Sequence, residues 1–209
     1  MTLVLYDNPA SGNCHKVRLI LGLLGTEYER REMSVVDYSD RIEVLGGLSP
    51  TLNLPTVVLE DGRPLAESNA ILWYFADGTE YLPDDPYERA QVLQWMFFEQ
   101  YKHEPGIAVP RFWDSIATEN LPRPADLDSR RASGREALKV MERHLREREY
   151  FVGERFTIAD LTLYAYTHVA HEAGFDLEPL PAVRAWLQRV EAQPGIVPME
   201  PLGEPGPGA

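Results

Sequence analysis

The chain has 209 residues, of which 44% are hydrophobic and 25% charged, which is enough apolar material for a folded core. Its 33 acidic residues outnumber 20 lysines and arginines, and the net charge of −13 argues against a nucleic-acid partner. The single cysteine, Cys14, excludes an internal disulfide and a cysteine-rich zinc module. Because neither a signal-peptide pattern nor an apolar run of about 20 residues is present, we expect a cytoplasmic protein with no membrane partner.

The first eighty residues alternate between strand and helix patterns. Short apolar runs indicate strands, and the longer segments with apolar residues three and four positions apart indicate helices. The strands are predicted at residues 3–6, 28–33, 55–59 and 64–66, and the helices at 12–24, 40–46 and 68–76. The charges of the second strand predict an edge position, and Asp61-Gly62 predicts a hairpin turn between the last two strands. The order βαβαββα therefore predicts a small α/β domain.

The sequence changes character at residues 81–86, where two prolines and acidic residues indicate an interdomain linker. Everything beyond is predicted to be helical, with breaks at Pro105-Gly106 and at residues 122–124. The predicted helices span residues 87–104, 107–115, 127–150, 157–172 and 182–193. Seven of the last twelve residues are proline or glycine, which predicts a flexible tail. The expected domains are thus 1–82 and 83–197, followed by the tail 198–209.

Three candidate sites lie at the ends of elements in the first domain. Ser11 precedes the first helix, where its hydroxyl either caps the helix or faces an anion held at the helix N-terminus. Pro55 either opens a strand or forms a cis bond that exposes the backbone of Leu54 to an extended peptide. Ser68 either caps a helix or binds a ligand carboxylate, while Glu67 pairs with an ammonium group. Ligands bind at such element ends in open α/β sheets, so the joint occurrence favours a binding site.

These motifs occur together with two further segments in the helical half. Thr157 and Asp160 form a T-x-x-D capping box. The full set consists of Ser11–Cys14 with the following HKVRL, Leu54-Pro55, residues 67–72 (ESNAIL), residues 156–162 (FTIADLT) and residues 180–195. In this combination the sequence resembles the serine-type cytosolic glutathione S-transferases, as found in bacteria. The resemblance covers residues 3 to 196.

The resemblance implies a thioredoxin-like N-terminal domain, an all-α C-terminal domain and a homodimer with a role in detoxification. It also implies glutathione as co-substrate, a small-molecule electrophile as partner and no metal. Ser11 is the implied catalytic residue, although Asn13 and Cys14 are its neighbours and either of them is an alternative contact for the thiol. The implied glutathione-binding residues are Arg41, Asn53, Leu54, Glu67 and Ser68, with Pro55 as a cis-proline. The implied electrophile pocket contains Pro9, Tyr101, Phe112 and Trp113.

Two positions depart from the family pattern in the loop before Pro55. Leu52 stands where relatives carry glycine, which predicts a changed loop backbone. Asn53 replaces a longer side chain that reaches the glycyl end of glutathione, which predicts weaker binding of that carboxylate. Two alternative functions therefore stay open. One is a glutathione-dependent disulfide reductase or peroxidase, and the other is a non-catalytic binding module with the transferase fold.

Overall fold

The computed structural model describes residues 1–118 and 120–199. Its first domain contains four strands and three helices in the predicted order βαβαββα. They are β1 (Val4–Asp7), α1 (Gly12–Leu23), β2 (Glu29–Glu32), α2 (Arg41–Leu45), β3 (Thr56–Val58), β4 (Pro64–Ala66) and α3 (Ser68–Ala76). Helix α1 ends before Gly25, whose φ of +62° is the left-handed conformation in which glycine commonly terminates helices.

The four strands form one mixed sheet in the order β2-β1-β3-β4. Strand β1 pairs in parallel with β2, where Leu5 is opposite Arg30, and antiparallel with β3, where Leu5 is opposite Val57. Strands β3 and β4 form the predicted antiparallel hairpin. All four residues of β2 are exposed, as its charges predicted for an edge strand. Strand β1 therefore lies inside the sheet, between β2 and β3, and α1 begins at the carboxyl end of this interior strand.

The second domain is helical. It contains α4 (Pro86–Phe98), a π-helical turn (Glu99–His103), α5 (Glu104–Ser115), α6 (Leu127–Leu145), α7 (Ile158–Thr167), a 3-10 turn (Ala170–Ala173) and α8 (Pro181–Glu191). Every residue of α7 is buried, and this helix contacts α1 and α3 of the first domain. Within the described ranges, no helix is both long and apolar enough to cross a membrane.

The predicted break at Pro105-Gly106 is wrong, because α4, the π-helical turn and α5 follow one another without a loop. Pro105 lies in the first turn of α5, directly after the π-helical turn. A Cβ atom on Gly106 would lie 2.5 Å from the backbone nitrogen of Gly134. The glycine therefore allows close packing of α5 on α6 and does not end a helix.

Three other predicted helices are shorter in the structure. Helix α6 ends at Leu145 instead of residue 150, and α7 ends at Thr167, after which the chain forms the 3-10 turn. Helix α8 also ends two residues early. At the predicted start of the tail, the Met199 side chain is buried and its N–H donates to Nε2 of His168 at 3.3 Å, so this residue packs on the helical domain. The rest of the predicted tail, 200–209, lies outside the described residues.

The T-x-x-D capping box before α7 is present as predicted. The Asp160 Oδ2 atom accepts the Thr157 N–H at 2.9 Å, and the Thr157 hydroxyl oxygen accepts the Ala159 N–H at 3.3 Å. The other carboxylate oxygen of Asp160 accepts the indole N–H of Trp186 at 2.9 Å. This motif therefore fixes the start of the buried helix and also joins α7 to α8.

Candidate functional site

Ser11 is the N-cap of α1 and also faces a cavity. Its Oγ atom accepts the backbone N–H of Cys14 at 3.2 Å, which satisfies one of the free donors at the helix start. The residue is half-buried, and it lines the space between the two domains. A capping hydroxyl oxygen accepts a hydrogen bond, so its own proton stays available for donation to a ligand. The two interpretations of Ser11 are therefore compatible.

The two neighbours of Ser11 have different surroundings. Cys14 is fully buried, and burial followed by the nearby Asp7 carboxylate raises the pKa of its thiol to about 12. It therefore stays a protonated, inaccessible thiol at neutral pH. Asn13 donates its backbone N–H to the Tyr166 hydroxyl at 3.3 Å, and its side chain faces a second cavity.

The cavity at Ser11 lies between the domains, has a volume of about 280 Å³ and is called the apolar cavity here. Its lining consists of Ala10, Ser11, Val35, Tyr38, Arg41, Asn53, Leu54, Glu104, Ala108, Val109, Arg111, Phe112, Trp113, Ile116 and Tyr166. Phe112 and Trp113 are in its wall with their rings edge to face, 5.4 Å between centroids. The structure therefore brings these two predicted pocket residues together with Ser11.

The other two predicted pocket residues lie elsewhere. Tyr101 is 78% exposed because it lies in the π-helical turn, in which Glu99 and His103 are the residues that turn inward. Pro9 lines a separate cavity beside α1, together with His15 and other residues. Pro9 and Tyr101 therefore do not line the cavity that contains Phe112, contrary to the prediction.

A second cavity adjoins the apolar one, has a volume of about 310 Å³ and is called the polar cavity here. Its lining consists of Asn13, Asn53, Leu54, Pro55, Glu67, Ser68, Gln100 and Glu104. The Leu54–Pro55 peptide bond is cis. Leu54 and Asn53 line both cavities, so the three sequence motifs, at Ser11, Leu54-Pro55 and Glu67-Ser68, meet at one place.

Glu67 and Ser68 are held in position by side chains from other segments. Glu67 has a φ of +69°, a conformation that non-glycine residues rarely adopt and that concentrates at functional sites. Its Oε1 atom accepts the Thr51 hydroxyl at 3.4 Å. The Ser68 hydroxyl donates to Oδ1 of Asn13 at 3.2 Å. Ser68 therefore does not cap α3, because it is the first residue of that helix and Glu67 is the N-cap residue, without a side-chain cap bond. These contacts aim both predicted anchors into the polar cavity.

The loop before Pro55 keeps a conformation that favours glycine. Leu52 has a φ of +55°, in the left-handed region that glycine adopts without strain. Arg41 donates from Nη1 to the Leu52 carbonyl at 3.1 Å and from Nη2 to the Ser34 carbonyl at 2.5 Å. The guanidinium also stacks on Tyr38 and lines the apolar cavity, not the polar one. Arg41 therefore braces the loop that carries Asn53.

Comparisons with known proteins show the family to which the chain belongs. The family described as "Glutathione S-transferase, N-terminal domain" matches residues 10–77, and "Glutathione S-transferase, C-terminal domain" matches residues 99–194. Glutathione S-transferase D7 of Anopheles gambiae is 32% identical over 195 residues, covering 90% of this chain and 86% of that protein. The chain belongs to the glutathione S-transferase family. This transferase has the thioredoxin-like and all-helical domains that the sequence predicts.

Solved structures resemble this transferase along most of its length. A glutathione S-transferase from Pseudomonas fluorescens is 47% identical with a TM-score of 0.88, covering 95% of this chain and 99% of that one. A Pseudomonas putida glutathione transferase, solved with one glutathione disulfide per subunit, is 27% identical with a TM-score of 0.78, covering 93% and 88%. Disulfide-bond oxidoreductase YfcG of Escherichia coli is 25% identical over 197 residues, covering 91% and 90%.

A buried ion pair below the polar cavity is a feature that the sequence analysis of this transferase missed. The Lys16 ammonium lies 2.8 Å from the Glu99 carboxylate, and both side chains have zero exposure. Lys16 also donates to the Ser68 hydroxyl and to the Asn69 amide oxygen, each at 3.4 Å. A lysine one helical turn before the apolar residues Leu19 and Ile20 was the available signal.

Glu104 is a second residue that the sequence analysis missed. It begins α5 directly after the π-helical turn, and it lines both the apolar and the polar cavity. Burial, and then the nearby Glu99 carboxylate, raise the pKa of Glu104 to about 7. No local sequence signal marks this residue, because its position depends on the π-helical turn. In the described part of this transferase, no cluster of three metal-binding side chains is present.

Proposed function

We propose that this transferase activates the thiol of glutathione at Ser11 for attack on a hydrophobic electrophile. The observation that carries the proposal is the junction of the two cavities. The hydroxyl of Ser11 and the N-terminus of α1 border the apolar cavity, where Phe112 and Trp113 offer an aromatic wall. The polar cavity next to it is lined by Glu67 and Ser68, as a charged tripeptide requires.

Groups at the start of α1 supply the free energy that is needed to lower the pKa of a bound thiol. A thiol with a pKa of about 8.5 must lose about two pKa units to be mostly ionised at neutral pH, which corresponds to roughly 2.7 kcal/mol. A helix N-terminus contributes about 0.3–2 kcal/mol to binding an anion. A hydrogen bond from the Ser11 hydroxyl to a charged sulfur adds roughly 1.5–3 kcal/mol. Together these two interactions are large enough to hold a thiolate.

The glutathione backbone is held, in this proposal, by residues of the polar cavity. The Glu67 carboxylate pairs with the ammonium group, and the hydroxyl and N–H of Ser68 bind the neighbouring carboxylate. The backbone of Leu54, exposed beside the cis bond to Pro55, pairs with the cysteinyl part of the peptide. Asn53 is the contact for the glycyl end, and Arg41 supports it by bracing the loop at Leu52.

A reduction of glutathione mixed disulfides is the second candidate function. Two relatives favour it, because one is named a disulfide-bond oxidoreductase and the other was solved with glutathione disulfide bound. Since Cys14 is fully buried, this reaction would use the thiolate of bound glutathione as the nucleophile. Both candidates therefore use the same thiol site and differ in the second substrate.

We propose a homodimer in the cytoplasm as the working form. Phe97 and Tyr101, four residues apart where α4 passes into the π-helical turn, are 68% and 78% exposed. Large apolar side chains exposed next to each other are typical of interaction surfaces. Sedimentation analysis of the wild type and of Phe97→Glu tests this, because the substitution should shift a dimer towards the monomer.

The first experiment is a calorimetric titration with glutathione of the wild type, Glu67→Gln and Ser11→Ala. We expect binding in the micromolar to millimolar range, a loss of at least tenfold in affinity for Glu67→Gln, and retained affinity for Ser11→Ala. Conjugation of an aryl halide by Ser11→Ala should fall about 10–100-fold. Ser11→Thr is the matched control, because it keeps both the cap and the hydroxyl.

The outcomes separate the candidate functions. Activity on aryl halides that depends on Ser11 supports the transferase, whereas activity on a glutathione mixed disulfide without conjugation supports the reductase. If conjugation by Ser11→Ala equals that of the wild type, the assignment of Ser11 fails. Absence of any glutathione binding would contradict both enzymes and indicate a non-catalytic binding module.

A further inference from the structure

Glu104 occupies the border between the two cavities. Among the described residues, it is the acidic side chain common to both linings. The apolar cavity also contains Ser11, and the polar cavity also contains Glu67 and Ser68. A tripeptide whose charged end lies at Glu67 and whose sulfur lies at Ser11 therefore passes beside Glu104. The mechanism proposed above gives this carboxyl group no role.

The side chains of Glu104 and of Asn13, from the first domain, both line the polar cavity. The nearby Asn13 side chain lowers the pKa of Glu104, which partly offsets the effect of burial. The same Asn13 accepts the Ser68 hydroxyl at 3.2 Å, and Ser68 in turn contacts Lys16. Hydrogen bonds thus run from Lys16 through Ser68 to Asn13, which lines the polar cavity together with Glu104.

Charged and titratable groups face Glu104 from each element around it. Glu99 of the π-helical turn raises the pKa of Glu104, whereas Lys16 of α1 and Arg130 of α6 lower it. Tyr166 of α7 also faces it, since the Glu104 charge raises the pKa of that hydroxyl. Arg111 lies on α5 itself and lines the apolar cavity, with its guanidinium bonded to Glu172 and to the Ala10 carbonyl. The net result is a carboxyl group that exchanges its proton near neutral pH.

We propose that Glu104 accepts the proton that the thiol of bound glutathione gives up. The inference rests on the proposed transferase function and adds a catalytic base to it. The sulfur–hydrogen bond breaks, its electron pair stays on sulfur as the thiolate, and the proton forms an O–H bond on the Glu104 carboxylate. The thiolate then attacks the electrophile, and the proton leaves Glu104 for the leaving group or for water.

The thiol of glutathione and the carboxyl group of Glu104 have pKa values close enough for this proton transfer. An ordinary thiol pKa of about 8.5 and a Glu104 pKa of about 7 disfavour the transfer by roughly 30-fold. The N-terminus of α1 and the Ser11 hydroxyl stabilise the thiolate and oppose this factor. After the transfer, the protonated Glu104 is neutral and can donate a hydrogen bond to the thiolate. The glutathione sulfur and the Glu104 carboxyl group then share one proton.

Proton release during glutathione binding tests the proposal. Calorimetric titration in two buffers of different ionisation enthalpy, at a pH of about 8, counts the protons released per glutathione bound. The wild type should release close to none, because the negative charge of the adjacent thiolate raises the pKa of Glu104 and the pair keeps one proton at this pH. Glu104→Gln cannot accept it, so this variant should release about 0.7 proton per glutathione as its bound thiol ionises. Glu136→Gln, an exposed glutamate of α6, is the matched loss of one negative charge and should behave like the wild type.

S-methylglutathione is the second probe, because it carries no thiol proton. The wild type and Glu104→Gln should bind it with similar affinity and equal proton counts, which shows that the substitution leaves the site intact. Equal proton release on glutathione binding by the wild type and Glu104→Gln would overturn the proposal. A tenfold or greater loss of affinity for both ligands with an unchanged count would instead make Glu104 an anchor for the ammonium group, which also overturns it. Absence of glutathione binding by the wild type would refute the proposed function itself and this inference with it.

Discussion

The ion pair between Lys16 and Glu99 joins the two domains, and its removal should have a large effect on stability. Both side chains are fully buried, and Glu99 also accepts hydrogen bonds from Asn69 at 3.2 Å and from Gln100 at 2.8 Å. Glu99→Gln leaves the Lys16 ammonium buried without its counter-ion. Breaking a buried pair in this way costs about 3–5 kcal/mol. For a chain of this length that corresponds to a decrease in Tm of roughly 6–20 °C.

Thermal and urea unfolding of Glu99→Gln measure this effect. The double variant Lys16→Met with Glu99→Leu removes both charges and should recover most of the loss, to within about 2 kcal/mol of the wild type. The pair of Lys139 and Glu136 is the control, because it has similar geometry at 2.7 Å but both partners are mostly exposed. Glu136→Gln should leave the midpoint unchanged. If Glu99→Gln unfolds within 1 kcal/mol of the wild type, the reasoning from burial is refuted.

Three further predictions concern buried groups. Gly12→Ala should destabilise the fold by about 1–3 kcal/mol in urea unfolding, because the new Cβ would lie 2.5 Å from the Tyr166 ring; an unchanged midpoint would contradict this. Asp160→Ala should cost about 2–4 kcal/mol, since it removes the capping carboxylate and leaves the Trp186 indole N–H without its acceptor; a loss below 1 kcal/mol would show that water replaces it. Burial lowers the pKa values of three histidines to about 2, 3 and 4, namely His15, His103 and His168. Below a pH of about 6.5 the unfolded chain therefore binds up to three more protons at these residues, while the raised pKa values of Glu104 (about 7) and Asp160 (about 6) oppose this with up to two. The net difference of about one proton makes stability fall by about 1.4 kcal/mol per pH unit between about pH 6 and 4.5, and urea unfolding that is flat or rises with acidification would contradict it.

Much of the first domain was predictable because its signals are local. The order βαβαββα follows from strand and helix periodicity, and the hairpin follows from the Asp61-Gly62 turn. The cap at Ser11 depends on residues within one turn. The same holds for the capping box of Thr157 and Asp160, which lie three residues apart. These features were correct because the atoms that form them are neighbours in the chain.

The helical domain was harder to predict where proline and glycine have packing roles. Pro105 and Gly106 look like a break in the sequence, yet Gly106 is required by the approach of α6 at Gly134, 28 residues away. The π-helical turn before them has no signature in the sequence, and it directs Glu99 inward and Tyr101 outward. Because of that turn, Tyr101 is exposed and does not lie in the wall of the electrophile pocket, where it was expected.

The sequence by itself determined the family and the order of the elements in the first domain, and it singled out Ser11, Glu67 and Ser68 as candidate site residues at the ends of those elements. Only the tertiary structure decided that Lys16 pairs with Glu99 and that Glu104 borders both cavities. The physical reason is that a cap, a turn or a periodic face is set by residues a few positions apart. The exposure and charge of a buried group, in contrast, are set by side chains from distant segments, which meet only after the two domains have packed together.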